Sequence, residues 1–379
     1  MTTATKGLAG VIAADTRISR VDGEKGELIY RGYNILDIGE ATSFEEVIYL
    51  LWHGDLPNEA QLATFQSQLV ARRTVDESVL RTMKTVPATA TPMAVLRTFV
   101  SWLGLIDADA DDNSLPSVQE KAITLTAALP TLVAAWERIR NGQEPIAPRA
   151  DLGHAANFLY MLNGTEPDAA AVNALNAYLV LLADHGFNAS TFAARVTTGT
   201  LADTYSAITT GIGTLKGGAH GGANQLAMEQ FMAAANSGDV AAWYHDARAN
   251  DRRIMGIGHR VYKVEDPRAR ILRPLAAKMA QGSGQGHWYD VAAQIESLTR
   301  QDEYFVTRNL YANVDYYSAV VLYMIGLPTD QFTCLFAMSR IAGWTAHVME
   351  QVADNRLIRP KAQYVGATGR AFVPLVERS

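Results

Sequence analysis

Cysteine is nearly absent. Cys334 is the only one in 379 residues, which excludes an internal disulfide framework and any Cys-x-x-Cys metal or redox motif. Charge is sparse as well: 19% of residues are charged, below the usual quarter or so. The net charge of -6 supplies no basic field for nucleic acid or an anionic membrane. Lysine is scarce beside arginine, 8 against 25, a bias that suits fixed contacts to carboxylate or phosphate. No run of about 18 apolar residues exists, and residues 1–7 lack the apolar core of a secretion signal. A cytoplasmic protein with no membrane and no nucleic-acid partner is expected. No period of 20 to 50 residues recurs, which excludes a solenoid.

What is present is helix signal. Hydrophobic residues make up 48% of the chain, ample for a large core. Residues 18–30 resemble two short strands around the Asp22-Gly23 turn. After them Ser43 with Glu46 forms a capping box closed by Gly54. Asn58 caps a helix through Arg72, and Pro92 opens a segment over 92–106. Ser117 with Glu120 is expected to cap a long helix to Asn141-Gly142, bent at Pro130. Residues 107–113 superficially resemble a calcium loop but lack its glycine and terminal glutamate, so an acidic turn is the reading. Helical pattern continues over 151–162 and 168–183, then through the Ala-, Thr- and Gly-rich stretch 188–213. It resumes from Asn224, from Pro267, and over 331–353. The fold class is therefore all-α, with a small N-terminal β-hairpin.

Eight histidines are candidates for chemistry: His53, His154, His185, His220, His245, His259, His287 and His347. None pairs at zinc spacing, so no metal is expected. His53, His154, His245, His287 and His347 lie in helix ends or ordinary amphipathic runs and read as structural. His220 sits between two glycine pairs, Gly217-Gly218 and Gly221-Gly222, just before a helix. The positive helix end disfavours imidazolium and would leave a neutral donor; an incidental histidine on a flexible turn fits the spacing equally. His185, at a helix C-terminus, reads first as a favourable end charge. His259 shares fifteen residues with Arg260, Lys263, Arg268, Arg270 and Arg273, a density that favours an anion site. Asp315 could cap the helix after it, or act as a base with raised pKa beside Tyr316, Tyr317 and a long apolar run.

Taken together these stretches resemble the citrate synthase family over nearly the whole chain. The opening Gly-Leu-Ala-Gly-Val-Ile-Ala-Ala-Asp-Thr-Arg-Ile-Ser and Gly-Glu-Leu-Ile-Tyr-Arg-Gly-Tyr-Asn-Ile resemble its N-terminal segment. Motifs at 184–191, 217–224, 256–268, 313–318 and 355–360 follow in the family's order. The resemblance implies a two-domain helical enzyme condensing acetyl-CoA with oxaloacetate, with no permanently bound cofactor and the CoA thioester as co-substrate. It implies a large domain of residues 1–221 and 327–379 and a small, closing domain of 222–326. His220, His259 and Asp315 match the family's catalytic trio. His185, Arg268, Arg340 and Arg359 match its oxaloacetate ligands, Arg359 reaching a partner subunit's site in a homodimer. Lys263 and Arg356 match positions near CoA phosphate. Gly186 departs from the family, standing where a glutamate is usual, which bears on the loop of His185. Whether dimers assemble further is left open.

The implied chemistry has a physical logic. A thioester methyl is far too weak an acid for a lone carboxylate unless the enolate oxygen is stabilised as it forms. Asp315 would take the proton while neutral His220 donates to that oxygen, and His259 would protonate the ketone of oxaloacetate. Several guanidiniums suit a dianion. Two rivals remain: a 2-methylcitrate synthase using propionyl-CoA, and a non-catalytic ligand-sensing or assembly protein on the same scaffold. A nucleotide phosphate loop at 217–222 lacks both the preceding strand and the Gly-Lys-Ser/Thr ending.

Overall fold

The computed structural model describes residues 5–8, 10–282 and 284–378. Residues 1–4, the start of the stretch searched for a leader, and Ala9 of the opening motif lie outside them. Three strands form one antiparallel sheet in chain order: β1 (Ser19–Asp22), β2 (Glu27–Tyr30) and β3 (Tyr33–Asn34). Ser19 pairs with Tyr30 and Asp22 with Glu27, so the first turn is a four-residue loop rather than a tight Asp-Gly turn. The two-residue β3 has no counterpart in the sequence pattern; it is too short to carry a period. The hairpin tip meets a later segment, where Lys263 N donates to Gly23 O at 2.9 Å.

Apart from loops and a tail after residue 353 that holds only a short 3-10 turn, the remainder is helical. The first helices are α1 (Ile35–Ile38), α2 (Phe44–His53), α3 (Glu59–Ala71), α4 (Glu77–Met83), α5 (Pro92–Ile106) and α6 (Leu115–Arg140). They continue with α7 (His154–Asn163), α8 (Ala169–Leu182), α9 (Ala189–Gly199), α10 (Thr204–Leu215) and α11 (Ala223–Asn236). Then come α12 (Val240–Ala249), α13 (Pro267–Gly282), α14 (His287–Thr299), α15 (Glu303–Val306), α16 (Val314–Met324) and α17 (Phe332–Ala353). All-α with a small sheet is the architecture. No helix among the described residues is long and apolar enough to cross a membrane.

The caps explain the boundaries. Ser43 and Glu46 form the expected reciprocal box, and Gly54 ends α2 at φ 96°. Asn58 does the same with Gln61 at α3. The start of α6 differs from expectation. It begins at Leu115 after Ser114, with Pro116 in the first turn, so Ser117 lies inside the helix instead of capping it. A proline in the first turn needs no N–H partner, which outcompetes the later box. The acidic turn before it is held by an internal cation: Lys121 Nζ, buried, donates to Ala110 O at 2.9 Å and Asp112 O at 2.6 Å.

Helix α17 is the packing centre. Of its 22 residues 19 are buried, the pattern of a helix that is covered all round. It packs against α2, α5, α6, α8, α9, α10 and α11. Helices α11, α12, α13, α14 and α16 pack mainly among themselves, with α13 and α16 also meeting α8.

Candidate active site

His185 follows the C-terminal end of α8. Its ring is buried, with Nε2 3.0 Å from Tyr262 Oη and an edge-on approach of 5.4 Å to the ring of His259. Burial, then Arg268 and other nearby cationic and imidazole groups, pushes its pKa well below the ordinary 6.5. The residue is therefore neutral, and the reading as a helix end charge falls. Gly186, next in the chain, has φ 56°, in the left-handed region that costs a residue with a side chain about 1–2 kcal/mol. A Cβ there would meet nothing closer than Val21 Cγ2 at 3.7 Å. Backbone conformation rather than space makes glycine the fitting residue.

His220 lies in the turn between α10 and α11, two residues before Gly222, the N-cap. Its Nε2 is addressed by Ser190 Oγ at 2.9 Å and by the Ser190 N–H at 3.4 Å. A backbone N–H can only donate, which makes Nε2 an acceptor and puts the ring proton on Nδ1. The pKa falls to about 4, through burial first and Arg340 second. The ring is neutral, as expected, with burial and a guanidinium as causes.

His259 has the reverse arrangement. Its Nδ1 accepts from Val261 N at 3.0 Å and Tyr262 N at 3.1 Å, so Nε2 carries the proton. Burial and then Arg268 bring its pKa to about 4. The glycine loop before it is stitched to the turn that presents Asp315: Gly258 N donates to Tyr311 O, and Asn313 N donates to Gly256 O. Gly256 has φ 76°, and a Cβ there would stand 2.9 Å from Tyr316 Cα, so this close approach requires glycine.

Asp315 is not the cap of α16. Asn313 is, accepting from Asp315 N at 2.9 Å. The Asp315 carboxylate is thereby free, and its Oδ1 is shut from solvent with no hydrogen-bond partner among the described residues. Burial raises its pKa from 3.8 to about 6 against the opposing pull of Arg268 and Arg340. Such an orphaned buried oxygen costs stability, and a catalytic role is one reason for a fold to keep it.

Two arginines tie the set together. Arg340 is 1% exposed and forms no ion pair with a carboxylate among the described residues. Its Nε donates to Leu182 O at 2.8 Å and its guanidinium stacks on Phe336 at 4.8 Å. Burial lowers its pKa to about 10, so it remains a cation at neutral pH. An unpaired buried cation calls for an anion. Its field reaches His185, His220 and Asp315. Arg268 reaches His185, His259 and Asp315, but it is held by Asp266, with Nε at 3.0 Å and Nη2 at 2.8 Å from the two carboxylate oxygens. This fork orients the guanidinium and leaves Nη1 for a ligand.

The basic segment around His259 is less of an anion site than its composition suggests. Arg270 pairs with Glu265, and Arg273 with Glu265 and Glu296; Glu296 lies too far along the chain for local spacing to have revealed it. Lys263 is exposed; its backbone N–H is bonded to Gly23 O, and its charge acts on His259. Arg356 and Arg359 lie on the exposed tail after α17 and are not brought to the other candidates within this chain. Sequence reasoning missed Ser190, Tyr262 and Asp266, of which only Asp266, two residues from Arg268, carried a local signal. It also missed a cleft of about 530 Å³ beside His259, lined in part by Arg248, Arg252, Arg253 and Arg260. Arg248 is taken by Asp302 and Arg252 by Asp246, whereas Arg253 and Arg260 have no carboxylate partner among the described residues.

A family model described as "Citrate synthase, C-terminal domain" matches residues 7–361. The chain belongs to the citrate synthase family. A citrate synthase of Haloferax volcanii is 44% identical over 98% of each chain. A 2-methylcitrate synthase of Mycobacterium tuberculosis is 42% identical over 97% of this chain and 92% of its own. The solved structure of the Thermoplasma acidophilum citrate synthase, a ternary complex with carboxymethyl coenzyme A and oxaloacetate, superposes with a TM-score of 0.94. It is 32% identical and covers 100% of both chains. Within this family framework the local geometry sorts the candidates. His185, His220, His259, Asp315, Arg268 and Arg340 share one electrostatic neighbourhood; Lys263 touches its edge through the field it exerts on His259, while Arg356 and Arg359 stand outside it.

Proposed function

We propose that this chain condenses acetyl-CoA with oxaloacetate and hydrolyses the resulting citryl thioester to citrate and CoA. The observation that carries the reading is Asp315, a half-buried carboxylate with pKa about 6 whose Oδ1 is shut from solvent and has no partner among the described residues; it shares the fields of Arg268 and Arg340 with neutral histidines of opposite tautomers. Asp315 takes a methyl proton from the thioester. His220 donates from Nδ1 to the thioester oxygen, stabilising the enolate as it forms. The enol carbon attacks the ketone carbon of oxaloacetate while His259 gives its Nε2 proton to the ketone oxygen. Water then adds to the citryl thioester, the C–S bond breaks, and CoA leaves as the thiol. Removing one donor of this kind costs about 10²–10³ in rate.

Arg340, Arg268 and His185 hold the dianionic substrate. Arg253 and Arg260 in the adjoining cleft suit the phosphates of CoA, with Lys263 outside it as a further cation. Residues 222–326 act as a small domain closing on the remainder, which excludes water during condensation. The tail exposes Tyr364, Val365, Phe372 and Val376, each more than two thirds accessible. That surface favours a homodimer in which the tail lies on a second copy and carries Arg359, with Arg356 beside it, into the neighbouring site. No permanently bound cofactor is required, and the reaction suits a cytoplasmic enzyme of the tricarboxylic acid cycle.

A 2-methylcitrate synthase relative at 42% identity supports a second reading, with propionyl-CoA as substrate. One methylene in an apolar pocket is worth only about 1–3 kcal/mol. Thiol release with oxaloacetate and each acyl-CoA separates the readings. A higher kcat/KM for propionyl-CoA overturns the first, and no thiol release from either overturns both.

A further inference from the structure

Helix α17 does more than supply Arg340. It runs alongside the segment that carries His185 and meets it repeatedly. Arg340 Nε donates to Leu182 O, Gly343 N donates to Ala183 O at 3.0 Å, and Trp344 Nε1 donates to Ser190 Oγ at 3.1 Å. Residues 340, 344 and 347 fall on one face of a helix. The last of them, His347, is fully buried, and its sequence context alone reads as structural.

Its surroundings are more specific than packing requires. His347 Nδ1 lies 3.2 Å from Arg195 Nη1. A guanidinium is always a donor, so Nδ1 accepts and the ring proton sits on Nε2. That nitrogen faces Asp184 Oδ1 at 3.3 Å. The two lack the alignment of a full hydrogen bond, yet neither has another partner among the described residues. Asp184 precedes His185, and its Oδ2 accepts from Gly186 N at 2.9 Å and from the Ser19 hydroxyl of β1. On the far side Arg195 bonds Glu350 Oε2 at 2.7 Å, and Glu350 Oε1 accepts from Arg17 N at 2.8 Å. Arg195 also lies over Phe187 at 4.7 Å. The carboxylate on one side of His185 and the turn on its other side are therefore held through one imidazole on α17.

We propose that His347 is a positioning residue for substrate binding: through Asp184 it sets the turn of His185, and Arg195 fixes the tautomer it needs. The inference rests on the oxaloacetate role given to His185. A side chain in this place needs an acceptor toward Arg195 and a donor toward Asp184. Glutamine has both on one amide. Leucine has neither and leaves Asp184 Oδ1 alone.

The test compares the native chain with His347→Gln and His347→Leu by thiol release, giving KM for oxaloacetate, KM for acetyl-CoA and kcat. His347→Leu is expected to raise KM for oxaloacetate about tenfold or more, since misplacement by about 1 Å can cost up to a hundredfold, with KM for acetyl-CoA little changed. His347→Gln is expected to restore most of the difference. Unchanged oxaloacetate KM in His347→Leu overturns the proposal. So does a parallel loss in all parameters that follows thermal stability and is equal in the two variants. Should His347→Leu not fold, His347→Gln and Arg195→Gln are compared instead, and equal, unselective loss in both overturns the proposal as well. A native chain that turns over nothing refutes the assigned reaction, not the positioning. In that case calorimetric binding of oxaloacetate to the native chain and variants reads the same difference.

Discussion

Replacing Asp315 by asparagine should abolish turnover and at the same time stabilise the fold. Burial raises the pKa of Asp315 from 3.8 to about 6. A folded-state pKa above the unfolded one means that ionisation destabilises the folded chain. That penalty is fully present above pH 6, fades as the pH falls toward 3.8, and is absent below it. A shift of this size corresponds to about 3 kcal/mol, an upper figure for what Asp315→Asn could recover at pH 7. Denaturant unfolding at pH 7 and at pH 3.5 measures the gain at both ends. The same pKa predicts the acid limb of kcat/KM. With a base of pKa about 6, going from pH 7 to pH 5 lowers the ionised fraction about tenfold, whereas an ordinary aspartate would lose almost nothing. An Asp315→Asn chain no more stable than the native one at pH 7, or equally stabilised at pH 3.5, would refute the argument. Activity that stays flat down to pH 5 would refute it independently.

Other outcomes follow from named contacts. His220→Ala should lower kcat by about 10²–10³ with circular dichroism unchanged; near-normal turnover removes its role as donor. Arg268→Ala should raise KM for oxaloacetate and also destabilise the chain, by about 3–5 kcal/mol, because Asp266 is left buried without its partner; an effect confined to acetyl-CoA would count against it. Gly343→Ala should cost about 1–3 kcal/mol in denaturant unfolding, because its Cβ would lie 2.5 Å from Ala183 O and closer still to Asp184 Oδ1; wild-type stability would contradict the packing. Mixing His220→Ala with Arg359→Ala subunits should restore activity if the tail serves a neighbour's site, and confirmed mixed dimers with none would exclude sharing.

Local physics made much of this legible in sequence. Capping residues such as Ser43 and Asn58 marked helix starts because their side chains bond amides three residues on. The glycines before His259 and around His220 marked close backbone approach. The start of α6 was misplaced because two capping signals compete within four residues and only one can win. Asp315 was undecided until Asn313 proved to be the cap, which freed the carboxylate. What stayed hidden was long-range. Ser190 is 30 residues from the His220 it touches, and Asp184 is 163 residues from His347. No periodicity encodes such pairs, and the basic cluster after His259 was visible while its distant partner Glu296 was not.

The burial of α17 has a bearing on how the chain opens. A helix enclosed on every side cannot fray away from its neighbours without dissolving them, so its amides should exchange with solvent only through global unfolding. Arg340 rides on that helix, and Leu182 and Ser190 are bonded to it. The Arg340 and His185 side of the candidate site therefore belongs with the most slowly exchanging unit of the molecule, whereas Arg268 lies on α13 outside it. His259 and Asp315, on segments packed outside it, are free to open on a faster clock.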